Sequence, residues 1–196
     1  MNTEIEAKFL DIDTLSFRKA LKEKGANLIY SERPMKRKIF DYPDSRLEKI
    51  GGWIRVRYEG DKTTLSYKQL LNRTLEGTKE ILVVVDDFNR ACNLLLAVGF
   101  KNTSYQETKR EKWKLGNVEI TIDTWPWIPT FVEIEGSSEK ELKKVVAKLG
   151  LDWSKALHGS VENAYQAYYN VTESEVDSWE NIVFSPIPNW LKTRKK

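Results

Sequence analysis

The chain has one cysteine and one histidine in 196 residues. Cys92 has no partner for an internal disulfide, and His158 alone cannot build a histidine-rich metal site. Zinc, thiol and serine-histidine chemistry are therefore poorly supported. Long apolar runs are also missing: Ile81 to Val85 and Leu94 to Val98 fall far short of the ~20 residues that span a bilayer. The start, Met1 to Lys8, is polar and charged with no apolar signal core, so a cytoplasmic protein without membrane association is expected. A charge excess is missing too. Net charge is +3, from 32 basic and 29 acidic side chains, which argues against a nucleic-acid coat and for charge that is clustered rather than biased. A homodimer is left open.

With 40% hydrophobic residues the chain can bury a full core, and one domain over residues 1–170 with a C-terminal extension over 171–196 is the reading. Alternation, β-branched content and turn residues mark eight strands: Thr3 to Leu10, Met35 to Tyr42, Trp53 to Tyr58, Thr63 to Leu70, Glu76 to Val85, Thr103 to Lys114, Val118 to Thr124 and Thr130 to Glu135. Amphipathic helices are predicted at Thr14 to Lys24, Phe88 to Val98 and Glu139 to Leu149, each preceded by Asp or Ser and followed by Gly25, Gly99 or Gly150. Ser138 and Glu141 make a capping box, and Ser160 to Tyr169 reads as a short helix. The segments Glu6 to Gly25 and Glu80 to Gly99 share their spacing, and the same offset of 74 carries Lys36 and Lys38 onto Arg110 and Lys112. An internal duplication follows. The tail with Pro186 and Pro188 is expected to pack on the outside or fray.

The charges have their own period. Glu4, Glu6 and Lys8 alternate with Ile5, Ala7 and Phe9, and Glu133 and Glu135 alternate with Val132 and Ile134, so each strand carries like-charged carboxylates on one face. Such pairs repel unless something multiply positive, most simply a divalent metal, lies between them. Arg55 and Arg57, Lys68, Glu80, Arg110 and Lys112, and Glu119 and Asp123 continue the ionic face on other strands. The opposite faces are apolar and supply what the helices must cover. Eight strands can close into a barrel with the ionic face lining the lumen, which also removes sheet edges.

Glu4-x-Glu6-x-Lys8 on the first strand resembles the ExExK signature of the CYTH, or triphosphate tunnel metalloenzyme, superfamily. Phe40-Asp41-Tyr42-Pro43, Arg55-x-Arg57, Lys68, Glu80, Arg110, Asp123 and Glu133-x-Glu135 follow in that family's order, and the likeness covers roughly residues 1–169. The resemblance implies an α+β fold: an eight-stranded antiparallel tunnel with helices outside. It implies binding of a triphosphate-containing small molecule with Mg2+ or Mn2+. Carried over by position, Glu4, Glu6, Asp123, Glu133 and Glu135 would hold the metal. Arg55, Arg57, Lys68 and Arg110 would hold phosphates, with Lys112 a lesser candidate and Lys8 a phosphate contact or base. Hydrolysis of an inorganic, nucleoside or thiamine triphosphate leads. A class IV adenylyl cyclase is the alternative, and a triphosphate-binding module without turnover is the alternative of another class.

Two stretches are open on the sequence alone. Any one of Lys36, Arg37 and Lys38 could face the tunnel, although a solvated edge is the more common fate of such a run. Trp125-Pro126-Trp127-Ile128-Pro129 could cap a tunnel mouth or stack on a base, and a rigid hydrophobic plug is the favoured reading.

Overall fold

The alternating, turn-bounded segments form strands because each has one apolar face to bury, and the helices form where the apolar period lengthens. In chain order these are β1 (Asn2–Phe9), α1 (Thr14–Glu23), β2 (Asn27–Asp41), β3 (Gly52–Tyr58), β4 (Thr63–Leu70), β5 (Thr78–Val85), α2 (Phe88–Ala97), β6 (Lys101–Leu115), β7 (Val118–Thr124), β8 (Phe131–Gly136), α3 (Glu139–Lys148), α4 (Glu162–Tyr168), α5 (Glu173–Asp177), β9 (Asn181–Ile182) and α6 (Asn189–Lys192). The computed structural model describes residues 1–196. The strand order is β2-β3-β4-β5-β1-β8-β7-β6, and β6 pairs back onto β2, so eight antiparallel strands close into a barrel. The short β9 adds in parallel to β6. The fold is α+β, as the resemblance implied.

Aspartate or serine caps start the three main helices: Asp13, Asp87 and Ser138 each accept a first-turn backbone N–H. Gly25 and Gly99 end the first two at φ of 78° and 96°, a left-handed turn that other residues enter only with strain. The box predicted at Ser138 is half made. The Ser138 hydroxyl takes the Glu141 N–H, but the Glu141 carboxylate bonds to Ser137 instead. A complete box forms further on, between Thr172 and Glu175.

Applying the offset of 74 to α1 gives the bounds of α2, and applying it to β2 gives the bounds of β6. The pairings agree with a twofold relation: Glu4 lies opposite Thr78, its own equivalent, where β1 meets β5, and β2 pairs antiparallel with its equivalent β6. The equivalence of Lys36 with Arg110 does not extend to the face each occupies. A one-residue register shift in β2 between Tyr30 and Arg33, with no counterpart in β6, moves every following side chain to the other face. Lys36 therefore points out, over the Phe88 ring of α2 at 5.0 Å, and it is Arg37 that lines the lumen.

Helices α1 and α3 bury Phe17, Leu21, Leu142 and Val146 against Ala7, Trp113, Ile120, Ile122, Val132 and Ile134. Helix α2 buries Phe88, Cys92 and Leu95 on Phe40 and Val56. A third core joins the Trp125 loop to the C-terminal segment: Trp125, Ile128 and Phe131 pack with Tyr165, Tyr169, Val176, Ile182 and Leu191. The tail does not fray. Leu191 is wholly buried, and the backbones of Asn170 and Lys196 bond to Arg194 and Tyr168 across the turn. No helix is long and apolar enough to cross a membrane.

Candidate active site

The lumen encloses a cavity of about 530 Å³, within the range of small-molecule sites. Charge sorts around it by strand. Glu4, Glu6, Glu135 and Glu119 come from the neighbouring strands β1, β8 and β7, whereas Arg37, Arg55 and Arg57 come from β2 and β3, two to four places away around the barrel. An acidic wall therefore faces a guanidinium wall.

On the acidic wall the register sets Glu6 directly opposite Glu135, and Glu135 directly opposite Glu119. Like charges directly opposite destabilise a sheet. Partners relieve the outer members: Lys112 lies 2.6 Å from Glu119, Lys8 lies 2.7 Å from Glu6, and Lys68 donates to both Glu4 oxygens at 2.7 and 2.8 Å. Glu135 has no such partner. Burial, then Glu6 and Glu4, push its pKa up to about 7. Its side chain still opens to the lumen, where it is solvent-exposed.

Lys8 is buried and held by Glu6, by Glu133 at 3.2 Å and by the carbonyl of Gly159. Burial alone would lower its pKa, but the two carboxylates raise it above the ordinary lysine value. This arrangement favours a fixed cation over a proton acceptor. Arg110 donates to both Asp123 oxygens at 2.5 and 2.8 Å and to Glu133 at 2.7 Å. Asp123, nearly inaccessible, also accepts from Thr121, and it sits behind Arg110 rather than on the cavity surface. Burial opposes ionisation of Glu133, but Lys8 and Arg110 hold its pKa well below the usual carboxylate range.

On the guanidinium wall Arg57 pairs with Glu59 at 2.6 Å and Arg55 with Glu80 at 3.2 Å. Glu59 resists burial through Arg57, which takes its pKa down to about 2. Arg55 is pulled down to about 10 by burial and then by Arg57. The Phe40-Asp41-Tyr42-Pro43 segment has a structural task. Asp41 accepts from the backbone N–H groups of Tyr42, Leu47 and Glu48, which folds the loop leading to β3.

Carboxylate oxygens suit a hard divalent cation, and magnesium favours one or two of them with water and phosphate completing its shell. Glu135 opposite Glu6 fits that habit, with a repulsion that a cation would relieve. No three carboxylates converge on a common point, because Lys8, Lys68 and Arg110 hold the others in ion pairs. The residues present therefore fit a metal shared with a ligand better than a closed protein cage.

The sequence reading brought together ten of the residues found around this lumen, and Asp123 behind it. It did not assign Arg37, Glu59 or the Ser160 to Asp177 stretch, which also lines the cavity. The favoured reading of the Trp125 loop holds: Trp125 and Ile128 are buried, and the Tyr165 hydroxyl donates to the Pro126 carbonyl at 2.9 Å. Trp125 is 6% exposed, and the Arg37 guanidinium lies over its ring.

The closed antiparallel tunnel carries opposed acidic and basic walls, and residues 2–173 match the CYTH domain model. The chain belongs to the CYTH family. Among solved structures, a protein from Vibrio parahaemolyticus provisionally named an adenylate cyclase shares 14% identity at a TM-score of 0.72, over 84% of this chain and 98% of its own. The PH1012 protein of Pyrococcus horikoshii OT3 shares 24% identity at a TM-score of 0.65, over 78% and 93%. A Hippeastrum protein, provisionally named an adenylyl cyclase and described as having a dominant triphosphatase activity, shares 12% at a TM-score of 0.54, over 90% and 95%. These likenesses show the fold. No curated protein matches the chain.

Proposed function

We propose that the protein is a divalent-metal-dependent phosphohydrolase that takes a short triphosphate, inorganic or carrying a small organic group, into the tunnel. The observation that carries this reading is the pair of opposed walls: Glu135 crowded by Glu6 and Glu4 on one side, and Arg55 and Arg57 on the other. Anion capture alone gains nothing from the acidic wall. Glu4, Glu6 and Glu135 would hold Mg2+ or Mn2+, with Glu133 and Asp123 tuning Lys8 and Arg110 beside it. A cation bound there would neutralise phosphate charge and acidify a water. Arg55 and Arg57 offer planar forks to phosphate oxygens, Lys68 and Arg110 add charge, and Lys8 is fixed for the same task. Developing negative charge on the transferring phosphoryl group would meet donors already in place.

Hydrolysis is preferred to cyclisation because a cyclase must also seat a purine, and Trp125, the aromatic residue best placed by sequence for that task, is buried in the plug. The triphosphatase described for the Hippeastrum relative runs the same way. The test is product identification after incubation with tripolyphosphate or ATP, with and without Mg2+ or Mn2+. Metal-dependent orthophosphate release is the expected result. Cyclic AMP with pyrophosphate would replace the hydrolase by a cyclase, and bound, unchanged ligand would leave a module without turnover.

A further inference from the structure

Arg37 is the charged lumen residue whose partners do not account for its burial. It is only 6% exposed, and it lines the cavity. Across the sheet it sits directly opposite Arg57, a like-charge pair of the kind that costs stability. Its contacts are neutral: Nη2 donates to Thr108 Oγ1 at 3.1 Å, and the guanidinium lies 4.6 Å from the Trp125 ring centre. Its Nε has no hydrogen-bond partner. The other lumen cations differ. Lys8, Arg55, Arg57, Lys68, Arg110 and Lys112 each have a carboxylate within 3.2 Å.

A buried cation of this kind is destabilising in the free protein, and burial together with Arg57, Arg55 and Arg110 disfavours its charged form. Stacking on Trp125 and one neutral hydrogen bond recover only part of that cost. Arg55, on the adjacent strand and also on the cavity, has an orphaned Nε as well. Two unpaired guanidinium nitrogens thus belong to arginines that line the same cavity on adjacent strands.

We propose that Arg37 and Arg55 form a phosphate subsite on the wall opposite the carboxylates, with Trp125 as the surface that holds the Arg37 guanidinium flat. The proposal rests on the triphosphate reading above and adds to it the residue that grips the phosphoryl unit farthest from the acidic wall. Arg37 faces the lumen because β2 changes face between Tyr30, which also lines the cavity, and Arg33; without that one shift Lys36 and Lys38 would face it instead. Both guanidinium groups offer donors in a fixed plane, which suits a tetrahedral oxyanion better than a lone ammonium.

The test uses the full chain and a triphosphate whose bridging oxygens are replaced by methylene groups, so that it binds without hydrolysis. Affinity is measured by calorimetry in excess Mg2+, and the thermal midpoint is measured without ligand. Arg37→Met should weaken binding by about tenfold or more, and its ligand-free midpoint should equal or exceed that of the wild type, because a buried unpaired charge has been removed. Arg37→Lys should recover only part of the affinity. Lys36→Gln, outside the barrel, should bind as the wild type does. Unchanged affinity in Arg37→Met overturns the subsite, and so does a midpoint that falls in both Arg37 variants, which marks a structural residue. A wild type that does not bind the analogue overturns the triphosphate reading itself, and the subsite with it.

Discussion

At the residue scale, the free protein carries unfavourable charge where a ligand would use it. Glu135 is the clearest case. Its folded pKa of about 7 lies above the ~4.3 of an unfolded glutamate, so the folded state binds more protons between those values. Stability is therefore lost as pH rises through that window and stays reduced above pH 7. Glu135→Gln should raise the metal-free thermal midpoint, by an amount that grows from pH 5 to pH 7 and then levels off, while weakening Mn2+ binding. Parallel melts and a Mn2+ titration check both; a midpoint lowered at pH 8 would contradict the crowding. Glu133→Gln should behave differently. It leaves Lys8 and Arg110 with less compensating charge, so both stability and turnover should fall. Arg57→Ala should weaken substrate binding by about tenfold, seen as a raised KM at saturating metal; unchanged kinetics would remove Arg57 from the phosphate wall. The sequence made most of these residues legible because strict alternation assigns faces. It concealed Arg37 because the face it occupies depends on a register shift between Tyr30 and Arg33, which alternation does not reveal.

At the element scale, the segment joining α3 to α5 closes over β1. Leu157 exchanges backbone bonds with Lys8 at 2.9 Å each way, Gly159 receives the Lys8 ammonium, and Arg73 from the β4–β5 loop reaches Asn163, Glu162 and Glu173. This strap holds a carboxyl pair. Burial and then Asp177 push Glu162 up to about 8, and burial raises Asp177 to about 6. Arg73 opposes both shifts, whereas Glu173 reinforces both. Raised carboxyl pKa values mean that the folded strap takes up protons, so its contribution is full at low pH and declines as pH rises toward 8. Glu162→Gln should flatten that decline and raise the midpoint at pH 8 by a few degrees. Identical pH profiles for variant and wild type would show that the pair bears no such load. The sequence announced the short helix at 160–169, but nothing local announces that Glu162 and Asp177 meet, because α4 and α5 are brought together by the third core.

At the scale of the whole molecule, the barrel is an internally repeated unit with an added C-terminal plug. The repeat was legible as an offset of 74, and it returns in the bounds of both helix-strand pairs. The docking of the tail was not, because its apolar residues are isolated among prolines and charges and gain a core only by meeting Tyr165 and Tyr169. That core should be measurable. Leu191→Ala, at a fully buried position, should cost about 2–4 kcal/mol, read from denaturant midpoints; a loss below ~0.5 kcal/mol would mean that the tail contributes little to the fold. The lumen that these layers enclose carries the central claim. Crystals grown with Mn2+ and the methylene-bridged triphosphate would test it most directly through anomalous scattering. The account predicts a manganese peak within coordination distance of Glu6 or Glu135, with phosphorus density between it and Arg55, Arg57 and Arg37. Manganese and phosphate bound outside the barrel, with an unchanged lumen, would contradict it.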